Sequence, residues 1–516
     1  MNSESNKQFN SYSQVSGQTP PGQQTVIFDG YSSEEEPILR GHQPLKRAVI
    51  NISGMYTTAP KLNHMEIPLP RNPGLIVLLV LFLQLLSGCA SYGTISNQPL
   101  ADVGPIVRYS INHAVYSRRS NEVTMVLAFS GGGTRAAALA YGVLEALRDT
   151  HVNLDGQSRR LLDEIDAISS VSGGSFTAAY FGLYGDAIFT DYEKDFLRSD
   201  VSGELVSGLL DPGLWFSEGG RTEMAVDYYE KKVFKGATFA DLQRREGPLI
   251  VINATDLGRG VRFSFLQDYF DLLCSDLSTF QVARAVAASS AVPLLFHPVV
   301  LQNHPGCTTY TQSSPEEPGR LKTRSPQLAH VVEGLNSYAQ KDRRRYIHLV
   351  DGGITDNLGL LAIYEMVEVA GGAKNFLDSI GGVPAPRFIM ISVNASTSPQ
   401  YDIELTNENP SVENTINLVT DIQLHRTNVA TLELLSNSIR RWSSDLSTPE
   451  RTVEPYFVEI DFNRIPQPER RQYFNQVPTS FSLSEQQVDD LIAVARELLL
   501  GNTEFQRFIQ DLGRQE

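Results

Sequence analysis

Val123-Thr124-Met125-Val126-Leu127-Ala128-Phe129 is a short, nearly continuous apolar run, and Ser130-Gly131-Gly132-Gly133-Thr134-Arg135 follows it directly. A run of this length without alternation is expected of a strand buried on both faces of a parallel sheet. Beyond the glycines, Ala136, Leu139, Ala140, Val143, Leu144 and Leu147 recur at offsets of three and four, one face of a helix. The stretch therefore reads as strand, glycine turn, helix.

The unit repeats downstream. Ile165 to Ser170 predicts a second strand, Val171 to Gly174 a turn and Ser175 to Tyr184 a helix. Pro248 to Ala254, Tyr346 to Val350 and Phe388 to Val393 supply three further apolar runs. Strands separated by helices imply an α/β fold with a largely parallel central sheet. Past about Ser396 the period becomes helical, in Val412 to Trp442 and Ser484 to Leu499, which predicts a helical C-terminal extension over 396–516.

Two uses of the glycine turn compete. Gly131 to Ala136 satisfies the G-x-G-x-x-A pattern of a dinucleotide-binding loop, which also requires an acidic residue at the tip of the second strand. That strand ends in Ser169-Ser170, and Val171-Ser172-Gly173-Gly174 follows, so the dinucleotide reading is set aside. A glycine turn at a helix start also presents backbone N–H groups to a transient oxyanion. Gly131, Gly132 and Gly133 are the candidate oxyanion-hole residues, with Arg135 orienting the loop or neutralising charge.

Ser172 sits at a strand-to-helix turn with small residues two positions either side, as a nucleophile elbow requires. A serine hydroxyl needs a positioned base. Asp351, in His348-Leu349-Val350-Asp351-Gly352-Gly353, ends another apolar strand and is the candidate. A triad in that chain order would need a later histidine; His425 alone lies beyond Asp351, within a helical period, and reads as a surface or packing residue. No H-E-x-x-H and no cysteine pair at zinc spacing occurs, so neither a metal nor another cofactor is expected.

Ser130-Gly131-Gly132-Gly133-Thr134-Arg135, Ser172-Gly173-Gly174 and Asp351-Gly352-Gly353 together resemble the three signature blocks of the patatin-like phospholipases. Ala254-Thr255-Asp256 and the Ala/Ser-rich block Val282 to Pro298 are similar to that family as well. The resemblance implies a three-layer patatin-like fold, a Ser172–Asp351 dyad, an oxyanion hole at the glycine turn and metal-free hydrolysis of lipid acyl esters. Two departures stand out. Ser170 replaces the first elbow glycine, and Ala136 replaces the glycine often found after the Arg. The alternatives carried forward are a lipid-anchored binding or scaffolding protein of the same fold, and an acyltransferase.

The 516 residues hold 43 Lys and Arg against 59 Asp and Glu, a formal charge of −16 that disfavours nucleic acid as a partner. Residues 1–64 are rich in Asn, Ser, Gln and Gly and read as disordered or as a non-native upstream extension. Leu75 to Leu86 is apolar but for Gln84, shorter than a bilayer span and within the roughly 7 to 15 residues of a signal-peptide core. Its ending, Leu86-Ser87-Gly88-Cys89, resembles a bacterial lipobox. We therefore expect a lipoprotein signal peptide over 65–88, an acylated Cys89, and anchoring in a bacterial envelope, with Ala90-Ser91 indicating the outer membrane. A linker and lead-in helix over 89–122 would join a catalytic domain over 123–395. In an exported chain Cys274 and Cys307 can form a disulfide; two buried thiols are the alternative. Gly208 to Phe216, apolar and broken by Pro212, reads either as a lid or as a loop tucked under the core. Lipid or phospholipid is the expected substrate, and the sequence leaves the oligomeric state open.

Overall fold

Val123–Phe129 forms the first strand (β1) of an eight-stranded mixed sheet in the computed structural model, whose described residues are 93–513 apart from 101–107, 113–119, 155, 202, 204–219, 294, 308–324, 399–402, 404 and 406. The expectations for 1–64, for the signal segment 65–88, for Cys89 and for the segment 208–216 lie outside the described residues.

β1 is flanked by Ile165–Val171 (β2) and, on its other side, by a strand at Arg387–Asn394, both parallel to it. Leu249–Asp256 (β3) continues the parallel series beyond β2. Val261–Ser264 (β4) folds back on β3 as an antiparallel hairpin. Val299–Gln302 (β5) pairs antiparallel with Tyr346–Val350 (β6), which pairs antiparallel with β3. Arg387–Asn394 is β7, and Glu454–Asp461 (β8) lies parallel outside it.

The largely parallel sheet expected from the sequence is thus present, with antiparallel strands at one side. The C-terminal region is helical but also contributes β8, which the sequence reading did not assign. Glu454–Asp461 alternates buried and partly exposed positions with period two, the pattern of a strand covered on one face, and Pro455 lies near its start on the sheet edge.

Helices cover both faces, giving three layers. Gly133–Asp149 (α1), Gly173–Tyr184 (α2) and Val282–Ser289 (α3) bury their apolar side chains with Leu127, Phe129 and Ile168 in the larger core. On the other face Leu360–Val369 (α4) and the C-terminal half of Val412–Leu446 (α5) pack Leu360, Tyr364, Leu435, Ile439 and Trp442 against Ala128 and Met390. α1 is buried nearly all round rather than on one stripe, because Glu485–Leu500 (α6) covers its outer face. Among the described residues no helix is long and apolar enough to cross a membrane.

One feature of the ladder positions the site. Asn253 of β3 pairs with Val171 of β2 and with Ser264 of β4, so β2 and β4 lie on opposite edges of β3. Thr255 pairs with Arg262 of β4 and with Val350 of β6, so β6 lies opposite β4 as well. β2 and β6 therefore occupy the same edge of β3 and meet head to head across Ala254.

Candidate active site

Ser172 and Asp351 are the residues that follow these two abutting strand ends. Ser172 Oγ donates to Asp351 Oδ2 at 2.8 Å, and both residues are buried. Asp351 does not stand at the carboxyl end of a strand parallel to β2; it arrives from the opposite direction. The carboxylate is held on its other oxygen by the Gly353 amide, which donates to Oδ1 at 2.7 Å. Burial pushes the Asp351 carboxyl up to about 6, partly offset by the hydrogen bonds from Gly353 and Ser172. No histidine among the described residues bonds to either group. His425 lines a separate cleft of about 360 Å³ with Asn394, Asn428 and Asp461.

The backbone at Ser172 has φ 49° and ψ −121°, one of three non-glycine residues with positive φ among the described residues. That conformation is strained for a side-chain-bearing residue and lets a sharp turn join β2 to α2. The departure at Ser170 is accommodated by a hydrogen bond, since its buried hydroxyl donates to the Val251 carbonyl at 3.1 Å. Gly173 is required by contact: a Cβ there would lie 2.0 Å from the Gly133 carbonyl oxygen. The elbow and the glycine turn are thus in van der Waals contact along their backbones.

In the glycine turn the three amides differ. Gly131 donates its N–H to the Asn357 carbonyl at 2.9 Å, so it is engaged in holding the loop. The amides of Gly132 and Gly133 have no hydrogen-bond partner among the described residues. Gly133, with φ +60°, opens α1, and a Cβ on it would sit 2.4 Å from the Ser480 carbonyl oxygen.

Arg135, grouped with the oxyanion hole and read as orienting the loop or neutralising charge, sends Nε to the Ala395 carbonyl at 2.8 Å, one terminal nitrogen to the Val477 carbonyl at 2.6 Å and the other to Thr479 Oγ1 at 3.0 Å. It ties the turn to β7 and to the C-terminal region. These bonds use all three guanidinium nitrogens of a residue in the first turn of a buried helix, and they match a loop-orienting role.

Several residues around the site carried no sequence signal. Asn357 holds Gly131, and Ser480 accepts the Thr134 amide at 2.8 Å. Asn253 donates to Ser169 Oγ at 3.0 Å and to the Ser170 carbonyl at 3.1 Å, fixing the end of β2. Phe481 packs edge-on against Phe176 of α2 and against Phe296. These contacts join segments far apart in the chain, from 83 residues for Asn253 and Ser170 upward, which no local pattern marks. Cys274 and Cys307 form a disulfide, with Cα atoms 5.5 Å apart. Among the described residues no group of three or more His, Cys, Asp or Glu side chains is placed to hold a metal ion.

Residues 127–364 match the family model described as Patatin-like phospholipase. The chain carries a patatin-like phospholipase domain. The match bears out the resemblance drawn from the three motifs, and it takes in the glycine turn, Ser172 and Asp351. Among solved structures, this chain is similar to human GIVD cytosolic phospholipase A2, with 14% identity, 76% of this chain and 62% of that chain covered, and a TM-score of 0.38. It is similar also to the same human protein in complex with methyl gamma-linolenyl fluorophosphonate, with 12% identity, 82% and 69% covered, and a TM-score of 0.36. The chain thus spans less than two thirds of the first of these. No curated protein sequence matches it. The matched residues take in the elbow and the aspartate strand described above.

Proposed function

We propose that this protein is a serine acyl-ester hydrolase acting on phospholipid or another lipid ester, with Ser172 as nucleophile and Asp351 as its base. The observation that carries the reading is the 2.8 Å hydrogen bond from Ser172 Oγ to Asp351 Oδ2 in a buried setting. A carboxylate whose proton affinity is raised towards neutrality is a stronger base than an exposed one, and it can return the proton at the next step.

The chemistry follows. Asp351 takes the hydroxyl proton as Ser172 Oγ attacks the ester carbonyl carbon, and the carbonyl electron pair moves onto oxygen. That oxyanion is received by the amides of Gly132 and Gly133, at the positive end of α1. Collapse of the tetrahedral species expels the alcohol, which leaves with the proton from Asp351. Water, deprotonated by Asp351, then attacks the acyl-serine, and Asp351 returns that proton to Ser172 Oγ as the fatty acid is released. Phe296 and Phe481, both only partly buried, offer apolar surface for an acyl chain near α2.

An alkyl fluorophosphonate tests the reading. Labelling of the wild type that is abolished by Ser172→Ala supports it, whereas a folded wild type that is neither labelled nor able to release fatty acid from phospholipid vesicles refutes it. Release of acyl-alcohol products in place of fatty acid would make the protein an acyltransferase.

We infer further that Cys89 is acylated after cleavage of residues 65–88, anchoring the enzyme in a bacterial envelope beside its substrate. The Leu86-Ser87-Gly88-Cys89 sequence supports this. Mass spectrometry of the mature N-terminus tests it; an unmodified terminus upstream of Cys89 in most molecules counts against it.

A further inference from the structure

We propose that Ser289, at the C-terminal end of α3, is a positioning residue that fixes the geometry between Ser172 and Asp351; the inference rests on the dyad proposed above. Three hydrogen bonds from one short segment converge on the pair. Ser172 donates its backbone N–H to Ser289 Oγ at 2.8 Å. The Ser289 carbonyl accepts from the Gly352 amide at 3.0 Å, and the Ala291 carbonyl accepts from the Asp351 amide at 2.9 Å. One end of one helix therefore grips the nucleophile's backbone and the backbone on both sides of the Asp351 carbonyl carbon.

The Ser289 hydroxyl is fully committed to this role. It donates its proton to the Asn253 carbonyl at 2.6 Å. Having given up that proton, it accepts from Ser172, and its remaining lone pair faces the Ser175 hydroxyl at 3.1 Å. Ser289 is completely buried, so no water substitutes for the missing acceptor in a rigid interior. Asn253 belongs to β3, the strand against which β2 and β6 abut. The hydroxyl thus references the elbow to the same edge that aligns the aspartate strand.

Such a restraint is needed because Ser172 lies outside the ordinary backbone regions. Its amide begins a helix and has no ladder partner of its own, so nothing in regular secondary structure holds φ near 49°. Replacing Ser289 by alanine would orphan a buried N–H and let the elbow relax. A small displacement of Oγ lengthens the bond to Asp351 and misaligns attack, while leaving distal substrate contacts in place. The effect should fall on the chemical step and spare binding.

The test uses the full chain and two readouts, the second-order rate constant for phosphonylation of Ser172 by an alkyl fluorophosphonate, and kcat and KM on a soluble p-nitrophenyl ester. Ser289→Ala is expected to slow labelling and lower kcat by about 10- to 100-fold, with KM within about twofold of wild type. Ser290→Ala serves as control, because the Ser290 hydroxyl bonds only back to the Val286 carbonyl in the same helix; it should label within about twofold of wild type. If Ser289→Ala fails to fold, Ser289→Cys decides: its weaker acceptor should slow labelling at least about threefold. A folded Ser289 variant that labels at the wild-type rate overturns the role. So does an equal loss in Ser290→Ala, which would reveal a general softening of the helix end. Labelling of the wild type separates this failure from failure of the dyad itself: an unlabelled wild type removes the foundation, and with it this proposal.

Discussion

Ser172 and Asp351 each stand one residue beyond the last ladder pair of their strands, Val171 with Asn253 and Val350 with Thr255, so both face Ala254 from opposite directions. The 2.8 Å hydrogen bond between them is a product of two strands sharing one edge of a third. Because the pair is buried, the protonation of Asp351 governs what it can do.

Activity should follow that protonation. In the proposed mechanism Asp351 serves as base only when ionised, and burial pushes its carboxyl up to about 6. On a soluble ester, kcat/KM is expected to rise between about pH 5 and 7 with a midpoint near 6 and to level off above. Asp351→Asn should lower kcat by about a thousandfold or more across that range. A flat wild-type profile from pH 5 to 8 would contradict the assignment.

The same burial makes Asp351 a liability for stability. Its proton is held more tightly in the folded chain than in the unfolded one, so the folded state binds more protons between about pH 4 and 6. The favourable contribution is complete below the unfolded value and is lost as pH rises through about 6. Asp351→Asn can keep hydrogen bonds to Gly353 and Ser172 without the charge. It is expected to unfold at a higher temperature than wild type at pH 7, by up to about 3 kcal/mol in stability, and at pH 4 to gain less than about 1 kcal/mol. Denaturation curves at the two pH values check the sign.

Arg135 is expected to reveal itself as structural. Its three hydrogen bonds hold carbonyls of Ala395 and Val477 and the hydroxyl of Thr479. Arg135→Met would orphan the buried Ala395 and Val477 carbonyls and should cost about 3 kcal/mol or more. Arg135→Lys, lacking the planar fork, should recover only part of the loss. A variant with unchanged thermal midpoint and lost labelling would instead place Arg135 at the oxyanion.

Gly173→Ala asks whether the contact between elbow and glycine turn is as tight as described. With a Cβ 2.0 Å from a backbone oxygen, one of the two backbones must move. The expected outcome is loss of fluorophosphonate labelling by about 100-fold or failure to fold. Labelling at the wild-type rate would show that the loops are free to separate.

The disulfide closes a loop with a sequence separation of 33 that contains α3 and β5. By loop-closure entropy, Cys274→Ser with Cys307→Ser should cost about 3 to 4 kcal/mol. Because Ser289 lies within that loop, labelling should fail at a lower temperature in the double variant, which a temperature series of labelling would detect.

Much of the architecture was legible locally. The apolar runs delimit β1 and β6 at both ends, and β2, β3 and β7 to within two residues; β1 and β3 carry the near-continuous signal of strands with little exposure, while β6 exposes Tyr346 and His348 and is marked by Ile347, Leu349 and Val350. β8 was hidden, since an edge strand alternates and carries Pro455, and β4 and β5 are too short to stand out. The glycine turn, Ser172 and Asp351 were identifiable because a strained turn and a close backbone approach restrict residue type at the position itself. What the sequence alone determined is therefore the set of turns at which the chemistry of this domain could occur. Only the tertiary structure decided that β2 and β6 meet end to end, that Gly131 donates to Asn357 while Gly132 and Gly133 have no partner among the described residues, that Arg135 turns to the C-terminal region, and that Ser289 grips both partners. Those outcomes depend on hydrogen bonds between segments far apart in the chain, and a bond of that kind constrains the distance between two residues without constraining the pattern around either one.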